Sequence, residues 1–199
     1  MPTWIITPEK YLTDEETKQL RKTLSDAATL ARNKGAQITV RDQLIVELGL
    51  GTGLRVSEQA NLMVRDLFLK KGQNALHVRN GKGGKDRIVQ FNSNLKRMVL
   101  DYLDYRISDS PYLFYSKRGS QMTRFGIGQV FKQWARRAAL PSYFSIHSLR
   151  HTYATNLYKA SGYNLRLVQQ QLGHSNISTT SVYSAVVNQD LADALERLD

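Results

Sequence analysis

The sequence predicts a mainly α-helical domain that contains one small antiparallel β-sheet, an α+β fold. Near the N-terminus, a capping box followed by an apolar stripe indicates a helix. Residues 67–91 then change to short alternating segments between glycine-containing turns, which is typical of strands. Helical periodicity returns after this stretch. The 199 residues suffice for a proper core, and because no interdomain linker is evident, we expect residues 1–199 to form a single domain.

The first helix begins at the capping box "TDEE", in which Thr13 caps the helix and Glu16 reaches back to it. It should run to about Arg32, and its apolar stripe consists of Leu20, Leu24, Ala27, Ala28 and Ala31. A second helix, "VRDQLIVELGL", should end at the glycines of "GLGTGLR". A short third helix is predicted from about Val56 to Met63.

The sheet is predicted within "LFLKKGQNALHVRNGKGGKDRIVQF", which reads as strand, turn, strand, turn and strand. The turns "KKGQN" and "NGKGGKD" carry glycines, and the segments "ALHV" and "RIVQF" show β-type alternation. Each turn is short, so the three strands should be antiparallel.

The remaining segments are expected to be helical, apart from "PYLFYS", a candidate short strand. "SNLKRMVLDYLDYRI" follows a serine cap, and "TRFGIGQVFKQWARRAAL" should end at Pro141. "IHSLRHTYATNLYKAS" should end near Gly162, and "NLRLVQQQLG" at Gly173. The last helix, residues 188–199, has an apolar stripe that needs a partner.

Charge narrows the range of functions. The net charge of +11 attracts phosphate polyanions, although it would also suit an acidic membrane surface or serve solubility. Residues 65–97 contain nine basic and two acidic side chains, whereas the last twelve residues carry a net charge of −3. This distribution indicates a basic binding face and a separate acidic contact surface. Nucleic acid is the partner that we weigh first.

Several classes of protein are not indicated. The chain has no long apolar run and no secretory leader, so the sequence predicts neither a membrane span nor a signal peptide. Cysteine is absent, which excludes disulfides and cysteine-ligated zinc. A cytoplasmic location is expected.

Two glycine-rich places could hold a phosphate group. In "GTGLRVSE", Arg55 follows a turn at a helix start, where it could bind an anion or be an ordinary surface arginine. In "NGKGGK", Lys82 and Lys85 lie on a hairpin tip. The hairpin does not match an ATP-binding loop, which joins a strand to a helix. A lysine there could reach into a DNA groove or stay solvated.

The stretch "SIHSLRHTYATNLY" places His147, Arg150 and His151 on one helical face. The spacing of the histidines resembles a zinc pair, but Ser148 stands where a zinc hydrolase has its glutamate, and the arginine would repel the cation. An oxyanion suits Arg150 and His147 better. In "LGHSNISTTSVY", His174 and Tyr183 lie among Ser and Thr residues, and Tyr183 could be a half-buried aromatic or a nucleophile.

The four motifs "GTGLRVSE", "NGKGGKDR", "HSLRHTYAT" and "LGHSNISTTSVYS" together resemble the signature of the tyrosine recombinases, the phage-integrase-like site-specific DNA recombinases. They span about 130 residues, in the order and at the spacings of that family. The resemblance implies the tyrosine recombinase catalytic-domain fold. It also implies these catalytic residues: Arg55, Lys82, His147, Arg150, His174 and Tyr183.

The resemblance also implies a mechanism. Tyr183 would attack phosphorus and leave a 3′-phosphotyrosine and a free 5′-hydroxyl, while the two arginines and His174 neutralise the phosphorane. His147 is the candidate base and Lys82 the candidate acid, with Lys85 as the alternative to Lys82. No metal, ATP or other cofactor is expected. Glu58 is expected to orient Arg55 or its neighbours, and His151 to make a structural hydrogen bond.

The implied substrate is double-stranded DNA with inverted-repeat half-sites, bound by a homotetramer whose helix 188–199 packs into a neighbour or onto its own core. Further DNA contacts are expected from Lys70, Lys71, Arg79, Lys85 and Arg87. Typical members carry an N-terminal DNA-clamping domain; here only about a dozen residues precede the first helix, so we expect that domain to be absent. Two alternatives stay open: topoisomerase IB-like relaxation of DNA, and a non-cutting DNA-binding regulator.

Overall fold

The computed structural model describes residues 8–79, 81, 84–116 and 118–173, and it contains α-helices and one three-stranded sheet within them. The helices are α1 (Asp14–Asn33), α2 (Gln37–Thr52), α3 (Val56–Asn61), α4 (Ser93–Tyr105), α5 (Arg124–Arg137), α6 (Ile146–Ala160) and α7 (Leu165–Leu172). The strands are β1 (Leu67–Phe68), β2 (Ala75–Val78) and β3 (Arg87–Gln90). The predicted fold class, mainly helical with a small antiparallel sheet, is therefore confirmed.

Helix α1 begins as its capping box predicts. The Thr13 hydroxyl accepts from the Glu16 backbone N–H at 3.2 Å, and the Glu16 carboxylate accepts from the Thr13 N–H at 2.8 Å. Leu20, Leu24 and the alanines of the stripe face the interior, with Ala27 only partly buried. The local hydrogen bonds thus start the helix, and burial of the stripe holds it in place.

Helix α2 is the centre of the domain, because α1, α4, α5 and α6 all pack against it. Its buried residues are distributed over nearly every side of the helix, as expected for a helix at the centre of a core. Two of its buried residues are charged: the Arg41 guanidinium donates to the Asp42 carboxylate at 2.7 Å and to the Tyr115 carbonyl at 2.7 Å. The Trp134 indole of α5 donates to the other Asp42 oxygen at 3.1 Å. The ion pair is therefore satisfied inside the core.

The sheet has the strand order β1-β2-β3 with antiparallel pairing. Leu76 of β2 pairs with Val89 of β3, and both side chains are fully buried in the main core. The next residues along each strand, His77 and Ile88, point to the opposite face. One face of the sheet is thus anchored in the core, and the end of α7 packs against β3.

Two expectations about α4 and the segment after it were wrong in detail. Asn92, and not Ser93, caps α4: its side chain accepts from the Leu95 N–H at 2.9 Å. In "PYLFYS", Tyr112 and Tyr115 make only isolated bridges, to Met63 and Gln121. The Leu113 N–H bonds to the Leu62 carbonyl and the Val64 N–H bonds to the Pro111 carbonyl, but the pairing does not extend into a ladder.

The glycine-terminated helices end where their sequences predict, but α5 does not. Gly53 and Gly173 follow α2 and α7 in the left-handed conformation. Helix α5 ends at Arg137, before the expected stop at Pro141, because Ala139 adopts a positive φ of 50°. The Leu140 N–H bonds to the Ala135 carbonyl in place of a helical partner, which closes the helix early.

The segment "STTSVYSAVV" and the predicted helix at 188–199 lie outside the described residues. Among the helices that are described, none is both long enough and apolar enough to cross a membrane.

Candidate active site

Arg150, on α6 in the motif "HSLRHTYAT", binds the backbone of two other motifs, "GTGLRVSE" and "LGHSNISTTSVYS". The residue is 8% exposed, and its guanidinium donates to the Gly53 carbonyl at 2.5 Å and to the Leu172 carbonyl at 2.9 Å. Gly53 lies two residues before Arg55, and Leu172 lies two residues before His174. Three motifs that are far apart in the sequence therefore meet at one buried cation.

The turn around Gly53 is packed too tightly for any other residue. A Cβ on Gly53 would collide with the Tyr153 ring and would lie 2.8 Å from a methyl group of Leu172. Its φ of 61° also favours glycine. The turn that leads into Arg55 is thus held between α6 and α7.

Arg55 lies at the N-cap of α3 with its side chain 23% exposed. Its backbone N–H donates to one Glu58 carboxylate oxygen at 2.8 Å, and its Nη1 donates to the other at 2.9 Å. Helix α3 has only six residues, so its dipole is small and one of its first N–H groups is taken by Glu58. Attraction of an anion to this turn therefore depends on the guanidinium.

Glu58 is the common partner of two arginines, Arg55 and Arg87. Its carboxylate also accepts two bonds from Arg87, at 2.8 Å each. Burial raises the pKa of Glu58, but the bonds and charges of Arg87 and Arg55 outweigh it and lower the pKa to about 2. The carboxylate is thus ionised at neutral pH, and the three groups together carry one net positive charge.

The two histidines of α6 differ in environment. His147 is exposed, whereas His151 is half-buried. Burial, followed by the positive charge of Arg150, lowers the pKa of His151 to about 4, so this imidazole is neutral at pH 7. Among the described residues, no three His, Asp or Glu side chains lie close enough together to hold a metal.

The residues predicted to contact DNA fall into two groups. Lys70, Lys71 and Lys85 are exposed on the two turns of the sheet. Arg79 pairs with the buried Asp66 at 2.6 Å and remains 48% exposed. The side chain of Arg87 is only 12% exposed and its guanidinium is bound to Glu58, and its contact with DNA stays a prediction.

Lys82, His174 and Tyr183 lie outside the described residues, but the described chain leads up to two of them. Gly81 closes the hairpin base by donating to the Lys85 carbonyl at 3.0 Å. Gly173 ends α7, and a Cβ there would lie 2.7 Å from Arg87 Cδ. The positions from which the chain continues to Lys82 and His174 are therefore both next to Arg87.

Sequence reasoning did not detect the role of Arg87 in this network. Arg55 and Glu58 are three residues apart, a spacing that predicts contact on a helix. Arg87 and Glu58 are 29 residues apart, on a strand and a helix. No periodicity relates such positions, so only the fold could reveal the pair.

The sequence profile of the phage integrase family matches residues 10–190. The chain belongs to the phage integrase family. Curated relatives in this family include the tyrosine recombinase XerA of Pyrococcus furiosus, 38% identical over 191 residues, which cover 94% of this chain and 61% of XerA. The tyrosine recombinase XerC of Vibrio vulnificus is 36% identical over 169 residues, which cover 83% of this chain and 52% of XerC. The chain thus spans 61% of the length of XerA and 52% of the length of XerC.

Solved structures of phage integrase family members show the same fold. The crystal structure of XerA recombinase superposes with a TM-score of 0.76 at 28% identity, covering 97% of this chain and 65% of that one. The XerH site-specific recombinase bound to its difH substrate gives a TM-score of 0.72 at 26% identity, covering 88% and 50%. The arrangement of helices around the small sheet is therefore that of a tyrosine recombinase catalytic domain.

Proposed function

We propose that this chain is the catalytic domain of a site-specific tyrosine recombinase, which cleaves and rejoins DNA strands through a 3′-phosphotyrosine. The observation that carries the proposal is the junction at Arg150, which brings the Arg55 turn and the end of α7 to α6. Family membership supports it, as does the similarity to the XerH site-specific recombinase bound to its difH substrate.

Arg55 and Arg150 supply the positive charge that the transfer requires. The pentacoordinate phosphorane carries additional negative charge, and fixed cations stabilise it without reorganisation. Arg55 keeps one net positive charge in the group that it forms with Glu58 and Arg87, and it lies at a partly exposed turn. Arg150 is buried beneath the same turn. We assign both to the scissile phosphate, with His174 as a further donor.

The proposed reaction exchanges one ester for another. Tyr183 Oη forms a bond to phosphorus as the bond from phosphorus to the 5′-oxygen breaks. His147 accepts the tyrosine proton, and Lys82 gives a proton to the leaving 5′-oxygen. The exposure of His147 is compatible with contact to a substrate. Attack by a 5′-hydroxyl of a partner strand reverses the step. The two transesterification steps together therefore consume no ATP and need no oxidant or reductant.

The proposal also includes an oligomeric assembly of this chain on DNA. Recombination requires two duplexes, so we propose a homotetramer on paired inverted half-sites in the cytoplasm, with residues 188–199 contacting a neighbour. The acidic tail and the basic stretch 65–97 have opposite charge, which favours such a contact. Transfer between two duplexes would also suit a mobile element.

A nicked suicide duplex tests the chemistry. Wild-type protein should form a covalent adduct that denaturing electrophoresis detects and that Tyr183→Phe loses, because the phenyl ring has no nucleophilic oxygen. Tyr153→Phe is the matched control: burial raises the pKa of Tyr153 to about 12, which makes it a poor nucleophile, and the variant should keep the adduct.

The outcomes separate the alternatives. Loss of the adduct in EDTA would contradict a metal-independent mechanism. Relaxation of any supercoiled plasmid by monomers would favour a topoisomerase. Binding without an adduct on a cognate duplex would favour a regulator that does not cut.

A further inference from the structure

Arg87, at the start of β3, binds two other elements next to the proposed site: α3 through Glu58 and the end of α7 through Gln171. It holds Glu58 by a fork of two parallel bonds, Nη1 to Oε1 and Nη2 to Oε2, both at 2.8 Å. The two side chains are 12% and 6% exposed. A charge-assisted bidentate pair of this kind fixes both the distance and the orientation of its members.

The third nitrogen of Arg87 binds the end of α7. Nε donates to the Gln171 carbonyl at 3.3 Å, and a Cβ on Gly173 would lie 2.8 Å from Nε and 3.1 Å from Cζ. The backbone of Gly173 therefore lies directly on the guanidinium, where only glycine fits. A second bond, from the Gln90 N–H to the Gln171 side chain at 3.2 Å, attaches the same turn to β3.

The base of the β2–β3 hairpin lies against the same guanidinium. A Cβ on the buried Gly81 would be 3.1 Å from Arg87 Nη1 and 3.8 Å from Glu58 Oε1. It would also be 2.8 Å from the Lys85 carbonyl, so the hairpin closes without space for a side chain. The Arg87–Glu58 pair thus restricts the position of Gly81, the residue before Lys82 in the chain.

Arg87 also affects the charge of Arg55. Glu58 gives both oxygens to Arg87, and Arg55 Nη1 shares one of them. Without Arg87, Glu58 and Arg55 would form a neutral pair, and the field of Arg55 at a phosphate would weaken. Arg87 therefore keeps the Arg55 turn cationic while holding its orientation.

We propose that Arg87 is a positioning residue: it aligns the Arg55 turn, the hairpin base and the end of α7, and it does not contact DNA. This inference rests on the proposed recombinase function for its catalytic consequence. Lysine should not replace it, because an ammonium cannot form the fork with Glu58 and reach Gln171 at the same time.

The test compares Arg87→Met and Arg87→Lys with Arg21→Met. Arg21 forms a matched Arg–carboxylate pair with Glu47, at 3.1 Å to each oxygen, between α1 and α2 and away from these motifs. Single-turnover cleavage at saturating suicide duplex and the duplex Kd are measured for each. Arg87→Met should cleave about 100-fold more slowly and Arg87→Lys about 10-fold more slowly, with little change in Kd. Arg21→Met should match wild type.

A second readout does not depend on activity. The Gly81 N–H bonds to the Lys85 carbonyl and the Gly173 N–H to the Gln169 carbonyl, so hydrogen exchange at both amides reports their positions. Arg87→Met should accelerate exchange at both, and Arg21→Met at neither. If wild type forms no adduct, the proposed function fails, and this exchange result alone decides the positioning role.

Two results would overturn the inference. One is unchanged exchange at both glycines in folded Arg87→Lys and Arg87→Met. The other is a higher duplex Kd, a shallower salt dependence of duplex binding and an unaltered cleavage rate at saturation. This combination is the behaviour of a phosphate contact.

Discussion

Arg55, Glu58 and Arg87 show how a few side chains can set the charge of a site. Two guanidinium groups share one carboxylate, so the cluster stays cationic although its carboxylate is nearly fully buried. The low pKa of Glu58 follows from that sharing. The site thus attracts an anion without an unpaired buried charge, which would be unfavourable.

His151 differs from His147 because it is half-buried and is affected by the positive charge of Arg150. Its pKa lies near 4 in the fold and near 6.5 in the unfolded chain. Stability from the neutral imidazole is therefore fully present above pH 6.5 and is lost as the pH falls toward 4.

We predict that His151 titrates near pH 4 when followed by NMR. The free energy of unfolding should fall by up to roughly 3 kcal/mol between pH 6.5 and 4, because the unfolded chain binds the proton first. His151→Gln should flatten this part of the pH dependence. A titration of His151 near pH 6.5 would contradict the prediction.

The turn between α2 and α3 owes its shape to close packing from other elements. Gly53 is enclosed by Tyr153 of α6 and Leu172 of α7, and Arg150 binds its carbonyl. Helix α3 is too short to hold Arg55 in place by itself. The positions of α6 and α7 therefore decide where Arg55 lies.

We predict that Gly53→Ala lowers the free energy of unfolding by about 3 kcal/mol, since it adds both left-handed strain and a steric clash. Gly72→Ala is the matched control: its φ is 78°, but nothing lies within 4 Å of the added carbon. It should cost about 1 kcal/mol. Urea unfolding measures both, and equal losses would show that the packing around Gly53 is unimportant.

Charge is distributed unevenly over the whole molecule. The net charge is +11, and Lys70, Lys71 and Lys85 project from the turns of the sheet. Both lysines of α1, in contrast, have acidic partners: Lys18 pairs with Glu15, and Lys22 pairs with Asp26. The sheet turns are therefore the stronger candidates for contact with a phosphate backbone.

We predict that replacing Lys70, Lys71 and Lys85 by glutamine reduces the slope of log K against log salt for duplex binding by up to about 3. Each lysine that contacts a phosphate releases counterions, and its loss removes that release. Fluorescence anisotropy over a salt series measures the slope. Replacing Lys18 and Lys22 is the control, and a reduction as large there would contradict the assignment to the sheet turns.

Most of the helices could be predicted because their signals are local. The capping box at Thr13, the stripe of α1 and the glycines after α2 and α7 act within a few residues of themselves. The early end of α5 could not be foreseen, because the backbone conformation of Ala139 depends on what packs around it.

Motif order and spacing likewise identified Arg55 and Arg150 as candidate residues, since residue types and their separations are written in the chain. The chain did not reveal that Arg150 is bound to the carbonyls of Gly53 and Leu172, or that Arg87 faces Glu58 and Gly173. These contacts join positions between 22 and 97 residues apart. Hydrogen bonding over such separations depends on how the helices pack against α2, and packing is a property of the folded domain as a whole.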